Sequence, residues 1–324
     1  MERRTVLASI GIGMTTAAAG CLSETDATAD PGSESESNPE SESTPEDDPR
    51  SLATQAESAP TTVESGATAD RLIGDETLAD SGLRKPVQVA LTNRASETHT
   101  PALVIERNGT TVLEESFELG ADAAVHVSLS DLDEFTVRAT LPDADQAETV
   151  TVGHDQFDCN ATTATVAVQD DGTLESSVVS TLMACQGVVT TTIERDETNS
   201  TTVGAMPGAG DQESADARHG IVVHNPTAQT WTTHILLDES SDPTFDGVYT
   251  LEPGATAEIE LAESGEYSLD VTVLETDATE HEHIGATYFD CNTSTTQAEL
   301  DATGSIELAT ISTRMACPDG EFSE

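Results

Sequence analysis

Positive charge is nearly missing from this 324-residue chain. Twelve Lys plus Arg stand against 61 Asp plus Glu, the net charge is −49, and Lys85 is the lone lysine. With no basic patch to hold phosphates, nucleic acid and anionic lipid headgroups are poor partners. In dilute buffer such self-repulsion opposes a compact state. At molar salt the Debye length falls to about 3 Å and the repulsion is largely screened. Aromatic residues make up only 3% of the chain, so its cores must be built from Val, Leu, Ile and Ala. Beyond the N-terminal segment no run of 18 apolar residues occurs, so no later helix is expected to span a membrane. There is no Gly-x-Ser-x-Gly, phosphate loop or dinucleotide fingerprint, and nothing sets a nucleophile beside a base. The expectation is a protein that is not an enzyme and needs no cofactor.

Cysteine is scarce too, and its five positions organise the chain. Cys21 closes an N-terminal apolar segment, while Cys159/Cys185 and Cys291/Cys317 form two pairs of equal spacing, 26 residues, offset by 132. The start, Met1-Glu2-Arg3-Arg4-Thr5-Val6-Leu7, leads into a small, apolar stretch from Ala8 to Ala19 and ends at Gly20-Cys21. A charged start, a short apolar run and small residues before a cleavage point make a signal peptide. Arg3 and Arg4, with Val6-Leu7 shortly after, resemble a twin-arginine signal, the export route for folded proteins. Ala18-Ala19-Gly20-Cys21 resembles a prokaryotic lipobox, which implies a lipid on the Cys21 sulfur and membrane lipid as a partner. These motifs, with the acidic excess and the near absence of lysine, resemble exported lipoproteins of halophilic archaea. The location this implies is the extracellular face of the cell membrane.

Residues 22–84 are poor in large apolar groups and rich in Ser, Glu, Asp, Thr, Ala and Pro. They read as a disordered acidic tether. Beyond it the chain repeats. Shifted by 132, Asn93 falls on Asn225, Leu103 on Ile235, Leu119 on Leu251 and Phe135 on Tyr267. Phe157-Asp158-Cys159-Asn160 recurs as Phe289-Asp290-Cys291-Asn292, and Met183-Ala184-Cys185 as Met315-Ala316-Cys317. Between 119–185 and 251–317, 20 of 67 positions are identical without a gap, which establishes a tandem duplication. The organisation reads as a signal (1–21), a tether (22–84), repeat 1 (85–185), a polar linker (186–218), repeat 2 (219–318) and a tail (319–324).

Within each copy the apolar period is two, as in Val125/Val127/Leu129 and Tyr267/Leu269/Val271/Val273. Turn signals such as Asn108-Gly109 and Pro253-Gly254 punctuate the runs. Strands are expected near 86–93, 101–107, 111–119, 123–130, 134–141, 148–157, 163–169 and 173–181, a β-sandwich in each copy. The fold class is therefore all-β, two tandem sandwiches whose architecture resembles immunoglobulin-like domains of cell surfaces.

The spacing points to bonds 159–185 and 291–317, which an extracytoplasmic setting permits; the other pairings, 159–291 and 185–317, would contradict each repeat folding alone. Each bond within a repeat closes a loop of about 26 residues, worth roughly 3.5 kcal/mol in the chain-entropy model. Zinc sites usually carry cysteines two to four apart, and no His follows Cys185 or Cys317 as a copper site requires. Met183 and Met315 read as core. His281 and His283 share one side of a strand and are a weak metal candidate; an exposed polar strand is the plainer reading. Asp158/Asn160 and Asp290/Asn292 read as turn formers. Of the sequons at Asn108, Asn160, Asn199 and Asn292, Asn199 in the linker is the one placed for glycosylation. The functional expectation is binding or scaffolding at the envelope with a protein partner. The alternative is an accessory lipoprotein presenting a solute or metal to a transporter.

Overall fold

The computed structural model describes residues 59–75, 78, 83–204 and 218–315. Arg3, Arg4, Cys21, the tether up to residue 58, residues 205–217 and Cys317 lie outside them. Alternating strand residues in each repeat have one side chain pointing inward and the next outward, so both copies close as sandwiches of two five-stranded sheets.

In the first sandwich one sheet runs β1-β5-β4-β7-β8. Its strands are β1 (Thr61–Val63), β4 (Ala102–Arg107), β5 (Thr110–Leu119), β7 (Phe135–Leu141) and β8 (Gln146–Val152). The facing sheet runs β10-β9-β3-β6-β2, with β2 (Thr68–Ile73), β3 (Val87–Asn93), β6 (Ala124–Leu129), β9 (Thr162–Val168) and β10 (Leu174–Ser180). The second sandwich repeats both orders. Its first sheet is β11 (Val188–Ile193), β15 (Asp242–Leu251), β14 (Trp231–Glu239), β17 (Tyr267–Val273) and β18 (Ala278–Ile284). Its second is β12 (Thr198–Val203), β16 (Thr256–Leu261), β13 (His219–His224), β19 (Ser294–Leu300) and β20 (Ile306–Ser312). The eight strands expected in repeat 1 all form, seven of them with ends within one residue; the strand expected over 148–157 is instead Gln146–Val152, followed by a 3-10 turn at His154–Gln156. Asn108-Gly109, expected as a turn, has positive φ at both positions (48° and 75°), as a two-residue hairpin of the I′ type requires.

Two boundaries are corrected. β1 and β2 lie in the stretch read as tether, and β11 and β12 lie in the stretch read as linker. In each copy the first strand joins one sheet and the second joins the other, both in parallel: β1 on β5 and β2 on β6, β11 on β15 and β12 on β16. Val63 pairs with Leu119 and Ile193 with Leu251, so the two arms are related by 130 residues rather than 132. At that offset Thr61-Thr62-Val63-Glu64 matches Thr191-Thr192-Ile193-Glu194, Thr68 matches Thr198 and Gly74 matches Gly204. A two-residue gap hides this from an ungapped comparison. The low apolar content has a physical cause as well. These are edge strands with one neighbour, and a single buried residue, Val63 or Ile193, is enough to seat β1 or β11.

The two cores match position by position. Leu103, Leu119, Val127, Phe135 and Phe157 are buried in the first, and Ile235, Leu251, Ile259, Tyr267 and Phe289 in the second. Each core pairs an aromatic at the start of a strand with the Phe two residues before its first cysteine. Phe135 and Phe157 lie 6.1 Å apart and Tyr267 and Phe289 5.9 Å apart, tilted pairs worth about 1 kcal/mol beyond their burial.

Candidate functional site

The recurring Phe-Asp-Cys-Asn and Met-Ala-Cys segments fold into one latch. Asp158 accepts the Asn160 backbone N–H at 2.7 Å and its side-chain amide at 2.7 Å, which orients the Asn160 side chain. Asn160 Oδ1 then accepts the Met183 backbone N–H at 2.7 Å, which sets the chain two residues before Cys185. Cys159 and Cys185 are disulfide-bonded, Cα to Cα 5.5 Å. In the second copy Asp290, Asn292 and the Met315 N–H repeat these bonds at 2.7, 2.9 and 2.6 Å. Cys291 is disulfide-bonded as well; Cys317 is outside the described residues. The turn-forming role expected for these Asp/Asn pairs is therefore their role. Met183 and Met315, expected in the core, are instead exposed. Each lies on the segment after the edge strand, held by its backbone through the Asn, so its side chain is turned to solvent.

A second duplicated asparagine went unassigned by the sequence. Asn93 is buried and donates to the Glu97, Leu119 and Gly120 carbonyls at 2.8–3.1 Å, while accepting the Ala95 N–H at 3.0 Å. Asn225 does the same for Gln229, Leu251, Glu252 and Thr227. Both satisfy backbone groups where one sheet's chain crosses toward the other.

The copies differ where they meet. Arg84, fully buried, leaves the first sandwich and enters the β11–β15 edge of the second. Its five donors are all used. Nε donates to Asp246 Oδ1, Nη1 to the Phe157 carbonyl and to Thr190 Oγ1 (2.9 Å), and Nη2 to the Val189 carbonyl (2.7 Å) and the Asp246 carbonyl (3.1 Å). His234 Nε2 lies 3.0 Å from the same Asp246 oxygen. Burial opposes ionisation of Asp246, but the hydrogen bond and charge of His234 and Arg84 together outweigh it and hold its carboxyl below the usual range. The counterpart of Asp246 in the first repeat is Glu114, which is exposed. No sequence pattern marks Arg84, because its partner is 162 residues away.

Beside this joint a cleft of about 410 Å³ is lined from the first sandwich by Asn108, Asp133, Glu134 and His154 and from the second by Thr232, Thr250, Leu274 and Glu275. Burial lowers the His154 pKa, against the pull of Glu134, Asp133 and Glu275. Among the described residues no three His, Cys, Asp or Glu side chains converge as a metal site requires. His281 and His283 are exposed on β18 and pair with different carboxylates, His281 with Asp270 and His283 with Glu266 at 2.9 Å. Asn199 is exposed on edge strand β12 rather than in a linker, whereas Asn160 and Asn292 are buried in the latches.

Residues 97–184 match the model of a family described as the Halobacterial Ig-like domain. The matched span runs from just before β4 through β10 and stops one residue before Cys185. The second sandwich carries the same strand order, so the molecule holds two tandem Ig-like β domains. No curated protein matches the chain. Among solved structures, the chain is similar to a carbohydrate-binding module, CBMbc (family CBM26) of Eubacterium rectale Amy13K in complex with maltoheptaose. The identity is 8%, 72% of this chain and 99% of that one are covered, and the TM-score is 0.20, too low to carry any argument about fold or ligand.

Proposed function

We propose that this protein is exported, held on the outer face of the membrane by lipid on Cys21, and works there as a non-catalytic binding or scaffolding module through its two Ig-like sandwiches. The observation that carries this reading is the Cys159–Cys185 disulfide seated in a dedicated latch. Such bonds persist outside the reducing cytosol. The acidic surface fits a protein bathed in concentrated salt, where its repulsion is screened. Two sandwiches joined by a buried ion pair, rather than strung on a loose linker, present two surfaces in a fixed relation, so a bivalent partner meets a preorganised unit.

Cys21→Ser tests the anchor: the protein is expected in the medium, and continued membrane retention overturns it. Crosslinking in intact cells at native salt, followed by capture, tests the role. A recurrent envelope protein supports scaffolding. Capture of a transporter subunit points to the accessory reading, and capture of nothing above background counts against a protein partner.

A further inference from the structure

We propose that the first repeat's disulfide braces the joint between the two sandwiches, so that one covalent bond decides whether the repeats move as one body or as two. Two stretches of chain build the joint around Arg84, and the bond ties them together. On the Cys159 side, the Phe157 carbonyl accepts Arg84 Nη1 and the Asp158 carbonyl accepts the Lys85 N–H at 2.8 Å. On the Cys185 side, the Gly187 carbonyl accepts the Asp246 N–H at 2.8 Å, and Val189 and Thr190 accept the Arg84 guanidinium. Cys159 is thus one and two residues from the acceptors on its side, Asp158 and Phe157, and Cys185 is two to five residues from those on the other, Gly187, Val189 and Thr190.

The fit leaves little slack. Gly187 has φ +74°, and a Cβ there would lie 2.5 Å from the Thr244 carbonyl oxygen, so the chain passes straight from the disulfide onto the second sandwich. Arg84 is fully buried, so its donors cannot trade one acceptor for water while keeping the rest. Without the bond, the segment leading to Gly187 is held to repeat 1 chiefly through Asn160 and its contacts at Thr181 and Met183. The second copy has the same local latch around Cys291, which makes it the internal control.

The test is scanning calorimetry of the full exported chain at fixed molar salt. The intact protein is expected to melt in one transition, and Cys159→Ser with Cys185→Ser in two. Cys291→Ser with Cys317→Ser is expected to shift the single transition without splitting it. Arg84→Lys, which keeps the charge and loses the fork, is expected to split the transition with both disulfides intact. Two transitions in the intact protein overturn the proposal, as does a single one in the Cys159/Cys185 variant. If that variant does not fold, reduction of the folded protein followed by hydrogen exchange decides. Joint loss of protection at the Lys85 and Asp246 amides supports the brace; loss at Lys85 with Asp246 still protected overturns it.

Discussion

The two sandwiches keep the same strand order and the same two buried asparagine clasps, yet they differ at the floor of the core and at the joint. In the first, where Thr162 and Ala164 occupy the positions of Ser294 and Thr296, the β3 residue is Val87, fully buried. In the second the corresponding residue is His219, fully buried, with Nδ1 2.8 Å from Ser294 Oγ and Nε2 2.9 Å from Thr296 Oγ1. Burial pushes its pKa down to about 4. At the joint the first copy supplies Arg84 and the second supplies Asp246, where its twin has an exposed Glu114. Duplication has preserved the groups that satisfy backbone within a sandwich. It has let diverge those that face the other copy, because no symmetry requires both ends of one contact to match.

That contrast can be broken most severely at the joint. Arg84→Ala leaves Asp246 buried with His234 as its remaining side-chain partner, and is expected to cost about 3–5 kcal/mol. Glu114→Ala, at the twin of Asp246, is expected to stay within about 0.5 kcal/mol. Denaturant titration at fixed molar salt measures both, and equal effects would erase the asymmetry.

Acid comes next. His219 is neutral in the fold, and its pKa is about 4 against 6.5 for an exposed histidine. Its contribution is intact above pH 6.5. As pH falls from 6.5 toward 4 the unfolded chain takes up a proton that the fold refuses, so about 3 kcal/mol is lost. Fluorescence of Trp231, the single tryptophan, reports the second sandwich alone. His219→Val, which copies Val87, is expected to flatten the profile over that range; an unchanged slope would assign it to other groups.

The asparagine clasps sharpen the likeness rather than the difference. Asn93→Ala and Asn225→Ala each strand several buried backbone groups, and each is expected to cost about 2 kcal/mol. Unequal losses in the two melting curves would show that the copies do not share this support. The smallest effect is expected at the exposed methionines, where Met183→Ser and Met315→Ser should each change stability by no more than about 0.5 kcal/mol. A larger loss in thermal melts would restore them to the core.

Much of the fold was legible because one sheet face is buried and the other wet, which writes a period of two into strands such as Phe135-Thr136-Val137-Arg138-Ala139. The Cys159–Cys185 pairing was legible from the equal spacing and the repeated flanking residues. The edge strands were not, since Thr61–Val63 and Thr198–Val203 carry small polar residues that composition cannot tell from a tether. Arg84 was invisible for another reason. A buried arginine looks like any other in sequence, and its meaning lies in acceptors from Phe157, Val189, Thr190 and Asp246 that only the fold assembles. Met183 and Met315 show that apolar type alone does not imply burial: the latch holds their backbone and leaves the side chains outside.

Each sandwich begins at the Thr-Thr-Val or Thr-Thr-Ile segment, so that apparent tether and linker supply two strands to each copy. Hydrogen exchange of the intact protein at molar salt tests it most directly. Amides in β1, β2, β11 and β12 are expected to be protected together with those of their partners β5, β6, β15 and β16. Exchange at the rate of an unstructured chain in 61–73 and 188–203, with the partner strands still protected, would contradict it.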